Sequence, residues 1–202
     1  MGVTIAPVPS SRDAWAAEIR AQLMASADLL RRSTESAQLL ASAAAAIADA
    51  FAAGNKLLLC GNGGGAADAQ HIATELVARY KRQRRALPAI ALGTDVTFLT
   101  AQSNDYGFEG VFARQVEALG GRADVLWAFS TSGNSANVVA AVQAARERGL
   151  ATIGFTGASG GKLKDLVDYC LCVPSSDTPR IQEAHIAAAH VICDLVEQAL
   201  AG

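Results

Sequence analysis

A glycine-rich turn and a pair of ionisable side chains lie within fifteen residues of each other, between positions 61 and 75. The glycine turn, Gly61-Asn62-Gly63-Gly64-Gly65, follows the apolar stretch 56–60, which is typical of a buried strand, and leads into a helix-like segment. Glycines at such a junction let backbone N–H groups approach an anionic or polyhydroxylated ligand. The helix then carries His71 and Glu75 at positions i and i+4, which share one helical face. The pattern predicts a ligand-binding turn beside two ionisable groups.

A second cluster of ligand-binding residue types, Ser130-Thr131-Ser132-Gly133-Asn134-Ser135, follows another apolar stretch and precedes a predicted helix. Free N–H groups and the helix dipole favour an anion at such a position. An ordinary capping turn with Ser135 as N-cap is the simpler alternative, but the hydroxyls outnumber what one cap needs. We therefore interpret this hydroxyl segment, residues 130–135, as a phosphate site. It lacks the GK[ST] of a Walker loop, so nothing supports nucleotide hydrolysis.

The histidines fall in two segments only, the helix after the glycine turn and the last predicted helix: His71, His185 and His190. In the last helix Gln182 and His190 are eight residues apart, about 80° around the axis. Together with His71 and Glu75 they would supply two imidazoles, a carboxylate and an amide oxygen to one divalent cation, of which zinc fits best. The spacing does not choose Gln182 over Glu183, and a lone helical histidine is more often structural.

Composition excludes several classes of protein. With 202 residues, 51% apolar and 18% charged, the chain is expected to form one globular domain. A net charge of −2 gives no case for binding nucleic acid or an anionic membrane. No eighteen-residue apolar stretch predicts a membrane span, and the N-terminal segment lacks the pattern of a secretion signal, so we expect a cytoplasmic protein.

The basic run 79–85 is interpreted as a solvated helix end and loop. No CxxC pair occurs among the cysteines, which predicts reduced, buried thiols: Cys60, Cys170, Cys172 and Cys193.

Two long helices are predicted before the first strand, within residues 11–53, after a flexible tail at 1–10. The break lies at 31–34, where Ser33 or Thr34 is a candidate cap for the second helix. Both helices are more apolar than one buried stripe requires. Packing against a partner subunit and burial within one chain both explain this, and we favour the partner.

Strands and helices then alternate over residues 54–202. The apolar, unalternating strand candidates are 56–61, 87–92, 124–130, 151–156 and 169–173. The helix candidates are 66–80, 95–102, 109–119, 135–148, 162–167 and about 179–200. This order predicts an α/β fold: a doubly wound, flavodoxin-like, five-stranded parallel sheet with helices on both faces and two extra N-terminal helices. Ligands of such sheets bind beyond the carboxyl ends of the strands.

These motifs, taken together, resemble the phosphoheptose isomerase family of the sugar isomerase (SIS) domain superfamily. The resemblance covers nearly the whole chain after residue 10, and its motifs occur in family order. Its most specific part is the joint presence of His71, Glu75, Gln182 and His190. The other matching segments are 61–64, 66–71, Asn104-Asp105-Tyr106-Gly107, 130–135 and 175–182.

The resemblance implies an aldose–ketose isomerase that converts sedoheptulose 7-phosphate to D-glycero-D-manno-heptose 7-phosphate, for lipopolysaccharide or related glycans. It also implies a homotetramer with active sites at subunit interfaces and one Zn²⁺ per subunit. The implied metal ligands are His71, Glu75, Gln182 and His190, of which Glu75 and His190 form the acid–base pair. The implied substrate-binding residues are Asn62, Gly63, Gly64, Glu75, Asn104, Asp105, Ser130, Thr131, Ser132, Ser135 and Gln182. The chain departs from the family at Gly65, where a serine is usual.

Two non-enzymatic alternatives share the resemblance. One is a non-catalytic SIS adaptor of the replication-initiator-associating type, in which we expect the equivalents of Glu75 and His190 to be lost. Both residues are present here, which favours the enzyme. The other is a sugar-phosphate-sensing regulatory domain, which is usually attached to a DNA-binding module for which this chain has no room.

Overall fold

A parallel five-stranded sheet forms the centre of the computed structural model, which describes residues 11–200. Its strands are β1 (Leu57–Gly61), β2 (Ala89–Ala91), β3 (Val125–Phe129), β4 (Ala151–Thr156) and β5 (Tyr169–Cys172). Their order in the sheet is β2-β1-β3-β4-β5. The strand β2 therefore lies on one side of β1, and β3, β4 and β5 follow on the other side. The predicted flavodoxin-like order is confirmed. The predicted tail at 1–10 lies outside the described residues.

Seven α-helices surround the described sheet: α1 (Arg12–Ser33), α2 (Ala37–Ala52), α3 (Gly64–Val77), α4 (Val96–Tyr106), α5 (Val111–Leu119), α6 (Ala136–Glu147) and α7 (Thr178–Leu200). One core, around Trp127, lies between the sheet and α2, α3 and α7. The other lies between the sheet and α5 and α6. Burial on both faces explains why the strands are apolar without alternation.

The structure corrects several predicted boundaries. The break between the first two helices is a 3-10 turn at Thr34–Ser36, and neither Ser33 nor Thr34 caps α2. Instead the Ser33 and Thr34 hydroxyls donate back to the carbonyls of Leu29 and Arg31, as hydroxyls inside helices commonly do. The predicted helix at 162–167 is a 3-10 turn, Gly161–Asp165. Within residues 11–200, no helix combines the length and apolar character needed to cross a membrane.

Candidate active site

The glycine turn needs glycines for two reasons, lack of space at Gly61 and backbone conformation at Gly63. A Cβ on Gly61 would lie 2.7 Å from the carbonyl carbon of Gly65, and Gly63 has a φ of +54°. A Cβ on Gly64 would lie 2.3 Å from Nε2 of Gln182. The first turn of α3 is therefore in direct contact with α7, and the contact brings the Gln182 amide to the glycine turn.

The hydroxyl segment lies beside the glycine turn because β1 and β3 are neighbours in the sheet. Oγ of the buried Ser130 lies 3.0 Å from Oγ of Ser135. The Ser132 hydroxyl accepts a hydrogen bond from the backbone N–H of Asn134 at 3.1 Å. Ser135 makes no side-chain capping bond to α6. The capping-turn alternative is therefore not supported, and the converging hydroxyls remain available to a ligand.

A cavity of about 140 Å³ joins the two segments. It lies beyond the carboxyl ends of β1 and β3, at the switch point of the strand order, where ligands of such sheets bind. Its lining residues are Asn62, Gly65, Phe129, Ser130, Thr131, Ser135, Gln182 and His185. Among the predicted substrate-binding residues, Ser132 instead lines an adjoining hydroxyl-rich groove with Thr131.

Six of the eleven predicted substrate-binding residues do not line this cavity: Gly63, Gly64, Glu75, Asn104, Asp105 and Ser132. Asn104 and Asp105 lie near the end of α4, exposed to solvent, and the Asn104 amide donates to the Asp105 carboxylate at 2.9 Å. Neither residue lines the cavity between β1 and β3. Their role in binding substrate stays a prediction.

His71, Glu75 and His190 form a cluster, the His–Glu–His group, between α3 and α7. Nε2 of His71 lies 2.8 Å from Nε2 of His190 and 3.4 Å from Oε1 of Glu75. One potential ligand atom from each of the three lies within 4.8 Å of the others. Burial of the ring and then the charge of His71 lower the pKa of His190, against the opposing effect of Glu75. Two imidazoles and a carboxylate are donors that fit a catalytic zinc.

The sequence left Gln182 and Glu183 as alternatives for a fourth metal ligand. In the structure, the two side chains make different contacts. Both carboxylate oxygens of Glu183 are engaged away from the cluster, one with Arg180 at 2.9 Å and one with the Ser26 hydroxyl of α1 at 2.7 Å. Gln182 lines the cavity. The structure therefore favours Gln182, whose role as a metal ligand stays a prediction.

Part of the basic run is not solvated, which corrects the interpretation of residues 79–85 as a solvated end and loop. The Arg84 side chain is 2% exposed and pairs at 2.9 Å with Glu197, which is fully buried on α7. Arg79, Lys81 and Arg85 are exposed, as expected. The sequence did not indicate the pairing because its two members are 113 residues apart.

His185 lines the cavity although its position in the sequence suggested no role. The ring is buried against Phe129 and Phe155, and Nε2 lies 3.1 Å from the Thr156 carbonyl. Burial lowers the pKa of His185 to about 4, and the hydrogen bond to Thr156 opposes this shift only in part. Its place three residues after Gln182, on the same helical face, was the one available signal.

We expect stability to fall on acidification because His185 is neutral in the folded chain. Between pH 6.5 and about 4 the unfolded chain binds a proton that the folded chain excludes. This group alone therefore removes roughly 2 kcal/mol between pH 7 and pH 5. Burial raises the pKa of Asp68 to about 6, against the effect of His71, and acts in the opposite direction. Urea unfolding of the parent and of His185→Gln, at both pH values and one protein concentration, isolates the histidine. An equal loss in both proteins would contradict this assignment.

Comparison with known proteins agrees with this geometry. The SIS domain family profile matches residues 23–157. A phosphoheptose isomerase of Roseiflexus sp. (strain RS-1) is 57% identical over 95% of this chain and 98% of its own length. One from Geobacter sulfurreducens is 55% identical over 91% of this chain and 97% of its own.

Solved structures give the same result. Phosphoheptose isomerase GmhA from Neisseria gonorrhoeae superposes with a TM-score of 0.86 at 41% identity, covering 91% of this chain and 99% of its own. A phosphoheptose isomerase from Francisella tularensis gives 0.87 at 37% identity, covering 91% and 98%. With this similarity over nearly their whole length, and with the His–Glu–His group in place, the chain belongs to the phosphoheptose isomerase family of SIS domain proteins.

Proposed function

We propose that this chain converts sedoheptulose 7-phosphate to D-glycero-D-manno-heptose 7-phosphate by proton transfer through an enediol. The observation that carries the proposal is that α3 and α7 contribute residues both to the His–Glu–His group and to the cavity lined by Ser130, Thr131 and Ser135. A segment suited to bind an anion and an acid–base pair held by shared elements are what an isomerase of a sugar phosphate requires. The relatives that carry the isomerase name support the same activity.

The residues divide the chemistry between them. The hydroxyl segment and the N-terminus of α6 bind the phosphate and fix the position of the sugar. Moving the carbonyl between C2 and C1 takes a proton from one carbon and returns it to the other, and Glu75 is the base for that transfer. His190 exchanges protons with the sugar oxygens, since an imidazole does so near neutral pH. Asn62, whose amide exchanges two hydrogen bonds with Asn137, is held rigidly at the cavity wall.

The donor set also fits a metal. A zinc ion held by His71, Glu75, His190 and Gln182 would polarise the substrate oxygens as a Lewis acid. Metal binding and the choice of zinc rest on the chemistry of these donors and on the family resemblance. The decisive experiment is an isomerase assay on purified protein, with and without a chelator and with zinc added back. Absence of turnover under all three conditions would refute the proposed function.

The non-catalytic adaptor is not supported. The relatives that cover nearly the whole chain carry the name of the enzyme, and the structure brings Glu75 and His190 together in one group. The proposal extends to a cytoplasmic enzyme that supplies heptose for lipopolysaccharide or a related glycan. The free thiols of all four cysteines are consistent with a reducing compartment.

We further propose a homotetramer, with α1 and α2 in the interface and active sites completed between subunits. Four large apolar side chains of α1 are at least half exposed: Trp15, Ile19, Leu23 and Met24. An apolar groove of about 370 Å³ between α1, α2 and α7 adds to this surface. Exposed apolar side chains and an apolar groove of this kind are typical of a subunit interface.

Light scattering should therefore report about four times the chain mass of 20.8 kDa at micromolar concentration. Leu23→Asp places a charge in the apolar surface of α1 and should shift the mass to smaller species, because an unpaired charge is costly to bury. A parent protein that is monomeric at this concentration would defeat the proposal of shared sites.

Gly65 bears directly on substrate affinity. Its φ is not in the left-handed region, so a serine is not excluded by backbone conformation, but an added Cβ would lie 3.0 Å from Cβ of Phe129. A serine hydroxyl that reaches the sugar gains about 0.5–1.5 kcal/mol, or roughly 2- to 13-fold in affinity. We expect Gly65→Ser to lower KM for sedoheptulose 7-phosphate within this range.

Gly65→Ala is the matched control because it adds the same Cβ without the hydroxyl. If both variants raise KM equally, the contact with Phe129 decides the effect and no vacated hydroxyl site exists. An unchanged KM in the serine variant would show that this position does not face the sugar.

A further inference from the structure

A buried carboxylate on α7 binds the chain segment that follows α3. Three consecutive backbone N–H groups donate to Glu197: those of Tyr80 at 2.7 Å, Lys81 at 2.8 Å and Arg82 at 2.9 Å. The Arg84 guanidinium adds an ion pair at 2.9 Å. Burial raises the pKa of Glu197, but these hydrogen bonds and the Arg84 charge together lower it below its ordinary value. The carboxylate is thus ionised and fully paired, which fixes the backbone of this segment against α7.

The same segment is also tied to α3 and to the surface of α7. Arg84 donates to the backbone carbonyl of Glu75 at 2.8 Å, and Lys81 and Arg82 both pair with Asp194. The residues that looked like a solvated basic run therefore connect the two helices that carry the His–Glu–His group. Breaking such a buried pair by removing one partner is strongly destabilising.

The fixed segment places an aromatic ring on a histidine of the His–Glu–His group. The Tyr80 ring stacks on the His190 ring with 5.4 Å between centroids and 12° between planes. The Tyr80 ring also lies 5.0 Å from Nζ of Lys81, measured to the ring centroid. His190 and Glu197 are seven residues apart and so share one face of α7. The carboxylate thus holds the residue whose ring covers the histidine two turns earlier.

We propose that Tyr80, held by Glu197, is a positioning residue that fixes the orientation of the His190 ring before metal and substrate bind. The inference rests on the metal-dependent isomerase proposed above. A stacked ring restricts rotation of the imidazole and keeps Nε2 of His190 directed at His71, 2.8 Å away. Outer partners of metal-binding histidines commonly set ring orientation in this way, usually through a hydrogen bond. Here a ring face takes that role.

The test compares Tyr80→Leu, which removes the ring, with Tyr80→Phe, which keeps the ring and removes only the hydroxyl. Zinc affinity is measured by competition with a chromophoric chelator, independently of turnover. We expect Tyr80→Leu to bind zinc about 10- to 100-fold more weakly, the usual cost of losing an outer partner of a metal ligand. Tyr80→Phe should bind zinc as the parent does. At saturating zinc, Tyr80→Leu should recover most of kcat, because the acid–base groups themselves are intact.

Glu197→Gln extends the test to the carboxylate. Since this change leaves Arg84 buried without a charged partner, thermal unfolding must first show that the variant is folded. In a folded variant, the loss of zinc affinity should add little to that of Tyr80→Leu when the two are combined. Fully additive losses would show that Glu197 does not act through Tyr80.

The remaining outcomes separate the two proposals. If the parent binds zinc and Tyr80→Leu binds it equally well, only the positioning role is refuted. If Tyr80→Phe loses as much affinity as Tyr80→Leu, the hydroxyl and not the stacked ring is responsible, and the inference is again wrong. A parent that binds no divalent metal would refute both this inference and the metal-dependent part of the proposed function.

Discussion

Glu75→Gln should abolish turnover while leaving the fold and the phosphate site intact. Glu75 is the carboxylate of the His–Glu–His group, and an amide of the same shape cannot take a proton from the sugar. A positioned base contributes about 10²–10⁴-fold to a rate, so kcat should fall by at least about 10²-fold. The measurement is a steady-state assay with sedoheptulose 7-phosphate, accompanied by a thermal unfolding curve.

Glu183→Gln is the matched control for this substitution. Glu183 pairs with Arg180 and Ser26, outside the cavity, so its amide variant should keep near-parent activity. Activity retained in Glu75→Gln would remove this carboxylate from the mechanism. A comparable loss in Glu183→Gln would mean that the two carboxylates have been assigned the wrong roles.

His190→Ala should lose both bound metal and activity, whereas His185→Ala should keep the metal and lose stability. His190 contributes Nε2 to the His–Glu–His group. His185 is not in that group, and its ring fills the core beside Phe155. Removing it takes away one of the two hydrogen bonds that the Thr156 carbonyl accepts, at a cost of about 0.5–1.5 kcal/mol in unfolding free energy. The Val173 N–H still donates to this carbonyl at 3.0 Å.

Metal content by mass spectrometry and unfolding in urea distinguish the two histidine variants. The metal content should fall in His190→Ala, and the urea midpoint of unfolding should fall in His185→Ala. Loss of metal in His185→Ala with retention in His190→Ala would show that the assignment of ligands on α7 is wrong.

The fold could be predicted because local signals in the chain agree with each other. Strands such as β3 are apolar at every position since both faces of the sheet are covered. The short strand β2 was predicted three residues too long, because Leu87 is buried like a strand residue while Pro88, which follows it, lacks the N–H group that a ladder needs. The missing N–H of Pro88 can be read from the sequence and would have shortened the predicted strand at that end.

The pair His71 and Glu75 could also be predicted, because both are on one helix and helical spacing fixes their common face. Contacts between distant elements could not. Arg84 was interpreted as part of a solvated run, and only the packing of α7 against the segment after α3 buries it together with Glu197. His185 was missed for a related reason: helical spacing gives a direction around α7, but not which direction faces the cavity.

The last helix, α7, supplies three of the side-chain groups described above: the Gln182 amide, the His190 imidazole and the Glu197 carboxylate. It is also made after every other described element, and His190 follows His71 by 119 residues. At ribosomal rates of about 5–20 residues per second, that interval lasts roughly 6–24 s. Late in this interval, once β5 ends at Cys172, all five strands have been synthesised but the helix that joins α3 to the rest of the site has not. A nascent chain of this protein should therefore be able to fold its glycine turn and hydroxyl segment and still be inactive. Competence for catalysis should not appear before α7 leaves the exit tunnel and docks.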